Sequence, residues 1–171
     1  MAISYSVRGT PLHSTTGPFT MNDGGTPTTG KLLIAFCNAS GQTGTGNASF
    51  SGYGLTWTKI GEYGWNSNRE SVIFAAFSAG ATSAAPTYTP SETPGNGAHV
   101  IVLEVTLDSL PTSVYDCFRD QGGGTYVLGN SGTTGAAGNV TLATSPWATA
   151  NRSFLFAEHG SPSGTNYVLS A

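Results

Sequence analysis

The sequence carries unusually little charge. Only 9% of its 171 residues are charged, against about 25% in ordinary globular domains. Six Lys and Arg stand against nine Asp and Glu, giving a net charge of −3, and no basic run occurs. Because nucleic-acid binding depends on releasing counterions from phosphates, we expect no nucleic-acid partner. A surface covered by Ser, Thr, Asn and Gly instead favours extracellular exposure or permanent contact with neighbours in an assembly.

Long apolar runs and an export signal are also missing. The apolar runs fall well short of the roughly 18 residues that a membrane-spanning helix needs, so no membrane partner is expected. The beginning, MAISYSVRGT, has no cationic region followed by an apolar stretch, which predicts a protein made in a cytoplasm. Two cysteines, Cys37 and Cys117, are then expected as buried free thiols, with a disulfide between them as the alternative.

Groupings of reactive residues are absent from the pattern. The three histidines are scattered without a Cys, His or acid at metal-ligand spacing: His13, His99 and His159. Residues 25–31 (GTPTTGK) match half of a phosphate-binding loop, but Leu32 stands where Mg²⁺ coordination needs Ser or Thr. No G-x-S-x-G elbow occurs, and no carboxylate stands in a marked context. The sequence therefore predicts no metal, no cofactor and no catalytic residue, and the protein is not expected to be an enzyme.

What the sequence does contain is a series of apolar runs at strand period. They occupy residues 32–37, 54–60, 71–80 and 99–107, and polar, Gly- or Pro-rich segments separate them. Residues 31–37 and 71–78 are apolar on both faces, which predicts strands in the middle of a covered sheet. Alternation predicts that Trp57 faces inward and that Glu104 lies on the less buried face of its strand.

The flanking segments complete an all-β prediction. Residues 3–8 suit a half-buried first strand, while residues 9–30 predict either an arm that reaches a neighbour or an ordinary loop with an edge strand near 19–21. Shorter strands are expected at residues 114–118, 126–128, 140–143, 152–158 and 167–171. We therefore predict a two-sheet antiparallel β-sandwich with jelly-roll or Greek-key connections, about nine strands and no substantial helix. It would be one domain, with residues 1–30 as N-terminal strand and arm or loop and 31–171 as the sandwich.

The candidate contact residues are aromatics that occur outside the predicted strands. Tyr63 and Trp65 fall in a turn-rich segment, residues 61–70, together with Arg69, and Trp147 falls in a later loop. Such side chains stack on sugars or anchor a protein partner. In the alternative interpretation, Trp65 and Trp147 fold back as lids over the open ends of the sandwich.

The order of five segments resembles a β-sandwich module of structural proteins from tailed bacteriophages. The segments are GKLLIAF, GLTWTKIGEYG, ESVIFAAFSAGA, AHVIVLEVT and VYDCFRDQGGG, over residues 30–124, with a looser continuation through 152–158. The resemblance consists of strand cores and glycines, and it carries no catalytic position.

This resemblance implies a virion structural protein, made in the host cytoplasm. Modules of this kind that stand alone resemble capsid decoration or cement proteins, and those in long chains resemble tail-fibre or receptor-binding domains. The expected partners are the major capsid protein or other virion proteins. Homo-oligomers, including trimers, are typical of the class. The alternative is a carbohydrate- or receptor-binding module of a head or tail fibre, with a host-surface glycan as its ligand.

Overall fold

The computed structural model describes residues 4–23, 25–41, 46–65 and 69–118. Eight strands lie in these ranges: β1 (Ser4–Ser14), β2 (Phe19–Thr20), β3 (Leu32–Ser40), β4 (Ser49–Ser51), β5 (Thr58–Trp65), β6 (Arg69–Phe77), β7 (Thr87–Thr89) and β8 (Gly97–Thr106). One short 3₁₀ helix, Val114–Cys117, follows them. The described part of the chain contains no other helix, as the sequence predicts.

The strands form two antiparallel sheets. The large sheet has the order β1-β8-β3-β6-β5, and the small sheet has the order β2-β7-β4. The ladders β1–β8, β2–β7 and β3–β6 are three of the four pairings expected when an eight-stranded ribbon is rolled up from its two ends. That is the jelly-roll arrangement, with β5 attached to β6 on the large sheet. The predicted two-sheet sandwich is confirmed.

The two sheets enclose an inner hydrophobic cluster. The small sheet contributes Phe19, Phe50 and Tyr88, and the inward face of the large sheet contributes small and medium apolar side chains: Leu33, Ala35, Cys37, Val72, Phe74, Val100 and Val102. Trp57 packs against this cluster and its indole nitrogen donates to the Gly52 carbonyl at 3.1 Å. Trp57 therefore faces inward as predicted, although β5 begins only at the next residue.

The large sheet is also apolar on its other face. An outer cluster there contains Leu32, Ile34, Phe36, Ile60, Ala75, Leu103 and Val105, all buried. Leu110, Val114, Cys117 and Phe118 pack against it. Since β3 and β6 place buried side chains on both faces, their prediction as central strands is confirmed. Cys37 belongs to the inner cluster and Cys117 packs against the outer one, so the sheet separates them and they form no disulfide with each other. Cys37 is buried as predicted, whereas Cys117 is half-buried.

Three local predictions are wrong. Residues 61–70, predicted as turns, include the end of β5 and the start of β6, because pairing along the neighbouring strand overrides the low strand propensity of Gly61 and Gly64. Residues 114–118, predicted as a strand, form the 3₁₀ helix, in which the Ser113 hydroxyl accepts a hydrogen bond from the Tyr115 amide. Residues 54–57 precede the strand that was predicted to include them.

Of the two interpretations of residues 9–30, the described residues follow the ordinary loop with an edge strand. β1 continues to Ser14, and Phe19 and Met21 are buried in the inner cluster. A segment with two large side chains in the core does not extend as an arm. The strands predicted at 126–128, 140–143, 152–158 and 167–171 lie outside the described residues.

Candidate functional site

A row of polar residues crosses the large sheet near one end of its outer face. The strand registers pair His13 with His99, His99 with Asn38, Asn38 with Ser71, and Ser71 with Tyr63. Directly paired residues of a sheet share a face, so these five positions form one line across β1, β8, β3, β6 and β5. We call it the polar row.

The polar row marks where the apolar part of the outer face ends. The next position on the same face of each strand, two residues from the polar row, is apolar. These residues are Ile101 on β8, Phe36 on β3 and Ile73 on β6, and they belong to the outer cluster or pack against it. His13 is exposed, and His99 is half-buried. Along each of these strands, the side chains change at this point from apolar to polar.

The histidine rings stack on each other. The centroids of His13 and His99 are 4.2 Å apart and the rings are 15° from parallel. Burial, and next the charge of His13, lower the pKa of His99 below its ordinary value. Farther along the row, the Ser71 hydroxyl donates to the Asn38 side-chain oxygen. The row therefore offers imidazole, amide and hydroxyl groups on one surface.

The structure brings three of the four sequence-predicted contact residues to this end of the sheet. Tyr63 belongs to the polar row, and Trp65 pairs with Arg69 in the next row of the same face, beside Ser40. The prediction that these residues lie in a loop is wrong, since all three have strand backbones. Trp147 lies outside the described residues.

The sequence pattern missed the histidine pair. His13 and His99 are far apart in the chain, and only the pairing of the first strand with the eighth makes them neighbours. No local spacing signals such a pair.

A second polar cluster joins the N-terminal strand to the loop after β2. The Arg8 guanidinium donates to Asp23 at 2.9 Å, to Glu104 at 3.2 Å and to the Gly25 carbonyl at 2.9 Å. The Tyr53 hydroxyl donates to Asp23 at 2.5 Å, and the guanidinium carbon lies 5.6 Å from the centre of the Tyr53 ring. We call these four side chains, Arg8, Asp23, Tyr53 and Glu104, the arginine cluster.

The prediction for Glu104 is wrong. It lies on the inward face of β8 with Val100 and Val102, and it is buried. The alternating pattern assigns the residues of β8 to two faces, but both faces are largely apolar, so the pattern does not show which face points into the sandwich. Arg8 lies on β1 opposite Val102 of β8, and its positive charge offsets the cost of burying the Glu104 carboxylate.

In the arginine cluster, burial and hydrogen bonding act in opposite directions on the pKa of Asp23. Burial acts to raise the pKa of Asp23, but hydrogen bonds from Tyr53 and from the Gly25 amide, together with the charge of Arg8, outweigh it and lower that pKa. Burial, and next the hydrogen bond to Asp23, raise the pKa of Tyr53. The cluster is saturated with internal partners, so its arrangement suits holding β1 and the following loop together rather than binding a ligand.

A third polar group lies in the interior at Glu70. This fully buried carboxylate accepts from the Tyr88 hydroxyl at 2.7 Å and from the Ser91 amide at 3.1 Å, and the Ser91 hydroxyl also donates to it. Burial, and next the hydrogen bond to Glu70, raise the pKa of Tyr88. These bonds tie β6 of the large sheet to β7 of the small one.

Among the described residues, no group of three or more His, Cys, Asp or Glu side chains is arranged to hold a metal ion. In the same ranges, no helix has the length and apolar character needed to cross a membrane. In comparisons with known proteins, no family model, no curated protein and no solved structure matches the chain.

Proposed function

We propose that this chain is a non-enzymatic structural protein of a tailed-bacteriophage particle, a capsid decoration protein that binds the assembled shell. The proposal is supported by the resemblance described above, whose first four segments contribute β3, β5, β6 and β8 of the large sheet. It is also supported by the jelly-roll pairing, a fold common among viral capsid and lectin domains. A fold is shared by many functions, so the surface carries the rest of the argument.

The observation that carries the proposal is the edge strand β1. It is 11 residues long, it ends the large sheet within the described part of the chain, and most of its residues are exposed. Two large apolar side chains on it, Tyr5 and Val7, are 43% and 47% exposed. A bulge between Arg8 and Leu12, with Pro11 inside it, interrupts the second half of the edge, whereas residues 4–7 are regularly paired with β8 and carry no charge. Edges with exposed apolar residues promote pairing with other chains. In a protein that is permanently assembled with other chains, such an edge can be buried against a neighbour.

Decoration then acts through mass action. A protein that binds the assembled lattice but not its separated subunits lowers the free energy of the lattice. The low surface charge fits this role, because a permanently assembled protein does not depend on charge repulsion for solubility. The major capsid protein is the proposed partner, and contact between copies of this chain would complete a homo-oligomer, for which a trimer is one form.

The test is binding to shells of the phage that encodes the chain, prepared without it. Purified protein is added, and the bound fraction is measured by sedimentation. The double variant Tyr5→Ser, Val7→Thr should lose most binding while its urea-unfolding midpoint stays close to that of the wild type, because exposed substitutions usually change stability by less than about 0.5 kcal/mol. Thr10→Ser, an exposed change on the same strand, is the control. Absence of wild-type binding to the shells would contradict the proposal.

The second candidate function is glycan binding by a fibre module, and the outer-face residues favour it. The polar row and the positions of Trp65 and Arg69 gather the residue types that stack on sugars and hydrogen-bond to hydroxyls. The same fold also serves lectins. Glycan-array binding that Trp65→Ala abolishes, with shell binding absent, would replace the first proposal by this one.

A further inference from the structure

We propose that His13 and His99 form a binding site for a divalent transition-metal ion, with Zn²⁺, Ni²⁺ and Cu²⁺ as the candidate ions. The two imidazoles stand directly opposite each other on the antiparallel strands β1 and β8. Opposed side chains on such strands have Cβ atoms about 4.5–5.5 Å apart. Two ring nitrogens can therefore approach one ion at the usual metal–nitrogen distance of about 2.0–2.1 Å.

The stacked arrangement needs one small adjustment to chelate. The nitrogen lone pairs lie in the ring planes, so rings that are stacked only 15° from parallel do not direct them toward a common ion. Rotation of the exposed His13 ring toward His99 makes the lone pairs converge. His99 is half-buried and is the more constrained ligand. The exposed position of His13 also gives an ion a path from solvent.

The ligand type decides which ions suit the site. Imidazole nitrogen suits Zn²⁺, Cu²⁺ and Ni²⁺, whereas Mg²⁺ and Ca²⁺ prefer oxygen ligands.

The neighbours limit how tight the site is. Asn38 follows His99 in the polar row, and Ser71 donates a hydrogen bond to it. Among the described residues, no third His, Cys, Asp or Glu joins the pair to make a closed cage. With two ligands from the described residues, binding is expected to be weaker than at a structural zinc site, which has four protein ligands.

The experiment titrates the full chain, without a histidine tag, with CuCl₂ and NiCl₂ at pH 7.5, using calorimetry. The wild type should bind one ion per chain. His13→Ala and His99→Gln should each weaken binding at least as much as loss of an outer-sphere partner does, about 10- to 100-fold. His159→Ala, which removes the third histidine of the chain, is the matched control and should bind like the wild type. MgCl₂ should give no binding.

A second measurement on the wild type alone covers the case in which a variant fails to fold. The Cu²⁺ electron paramagnetic resonance spectrum should show two coordinated imidazole nitrogens at pH 7.5. Wild-type binding that equals His13→Ala, equal loss in His159→Ala, or a single coordinated imidazole would overturn the proposal.

Discussion

The charged residues of the arginine cluster act inside the fold, where each is matched by partners. Asp23 accepts hydrogen bonds from Arg8, Tyr53 and the Gly25 amide, and it is 9% exposed. A buried ion pair is weak support for stability as a whole, but removing one partner leaves the other charge uncompensated. The arginine cluster therefore makes the fold sensitive to single substitutions that a surface ion pair would tolerate.

Asp23→Asn should lower the free energy of unfolding by about 3 kcal/mol, because Arg8 remains partly buried with one carboxylate fewer and Tyr53 loses its charged acceptor. Urea denaturation measures the change. Glu62→Gln is the control, since its ion pair with Lys59 is more exposed, and about 0.5 kcal/mol is expected there. Equal losses in the two variants would show that the arginine cluster has no special role.

The same aspartate should give an acid dependence. Its pKa is lowered in the folded state from 3.8, so its stabilising contribution is complete above pH 3.8 and is lost as the pH falls through the folded value. The stability difference between the wild type and Asp23→Asn should therefore shrink only below about pH 4. A difference that already disappears between pH 7 and pH 5 would contradict this assignment.

The histidine pair should add a dependence at higher pH. The pKa of His99 is lowered from 6.5 in the folded chain, so the unfolded chain takes up its proton first as the pH falls. The contribution of His99 to stability is complete above pH 6.5 and declines below it. In metal-free buffer, His99→Gln should flatten the decline between pH 7 and pH 5, measured by urea denaturation. An unchanged pH profile in this variant would be inconsistent with the lowered pKa.

Among the elements, the junction between β1 and β8 depends on one glycine. Gly97 begins β8 with a φ of 91°, and a Cβ there would overlap the Ser14 carbonyl oxygen. Gly80 has a similar φ of 76° with nothing within 4 Å of its hypothetical Cβ. An alanine at either position would have a strained backbone, but only at Gly97 would its Cβ collide with a neighbouring strand.

Gly97→Ala should therefore destabilise the protein more than Gly80→Ala. Left-handed backbone strain costs about 1–2 kcal/mol at either position. The clash at Gly97 should add at least about 2 kcal/mol and should speed hydrogen exchange of β1 amides, because the strand must move off β8. Urea denaturation and amide exchange measure the two effects. If both variants lose the same stability, the close approach is not a constraint.

Strand positions were predictable where apolar residues repeat, and the pairings that build the sites were not. β3, β6 and β8 follow from their apolar runs, and their central place follows from apolar residues on both faces. The end of β5 was hidden because Gly61 and Gly64 resemble turn residues. Glu104 can point inward because Arg8 pairs with it, and the two residues are neighbours only because β1 pairs with β8. The histidine pair was missed for the same reason.

The whole molecule combines a sheet that is apolar on both faces with one exposed edge strand. The small sheet covers the inner face, and the 3₁₀ helix and its neighbours pack on the outer cluster. β1 is the described edge that leaves large apolar side chains in solvent. In the proposed decoration protein, that edge contacts a neighbouring chain, and the polar end of the outer face contacts solvent and small ligands.

A low-resolution electron cryomicroscopy image of particles of the encoding phage, with and without this chain, would show whether the protein binds the shell. We predict extra density on the outer surface of the shell at positions that repeat with the lattice, and its loss in particles made with the Tyr5→Ser, Val7→Thr variant. Density confined to a tail or fibre, or particles that lack the chain altogether, would contradict the account.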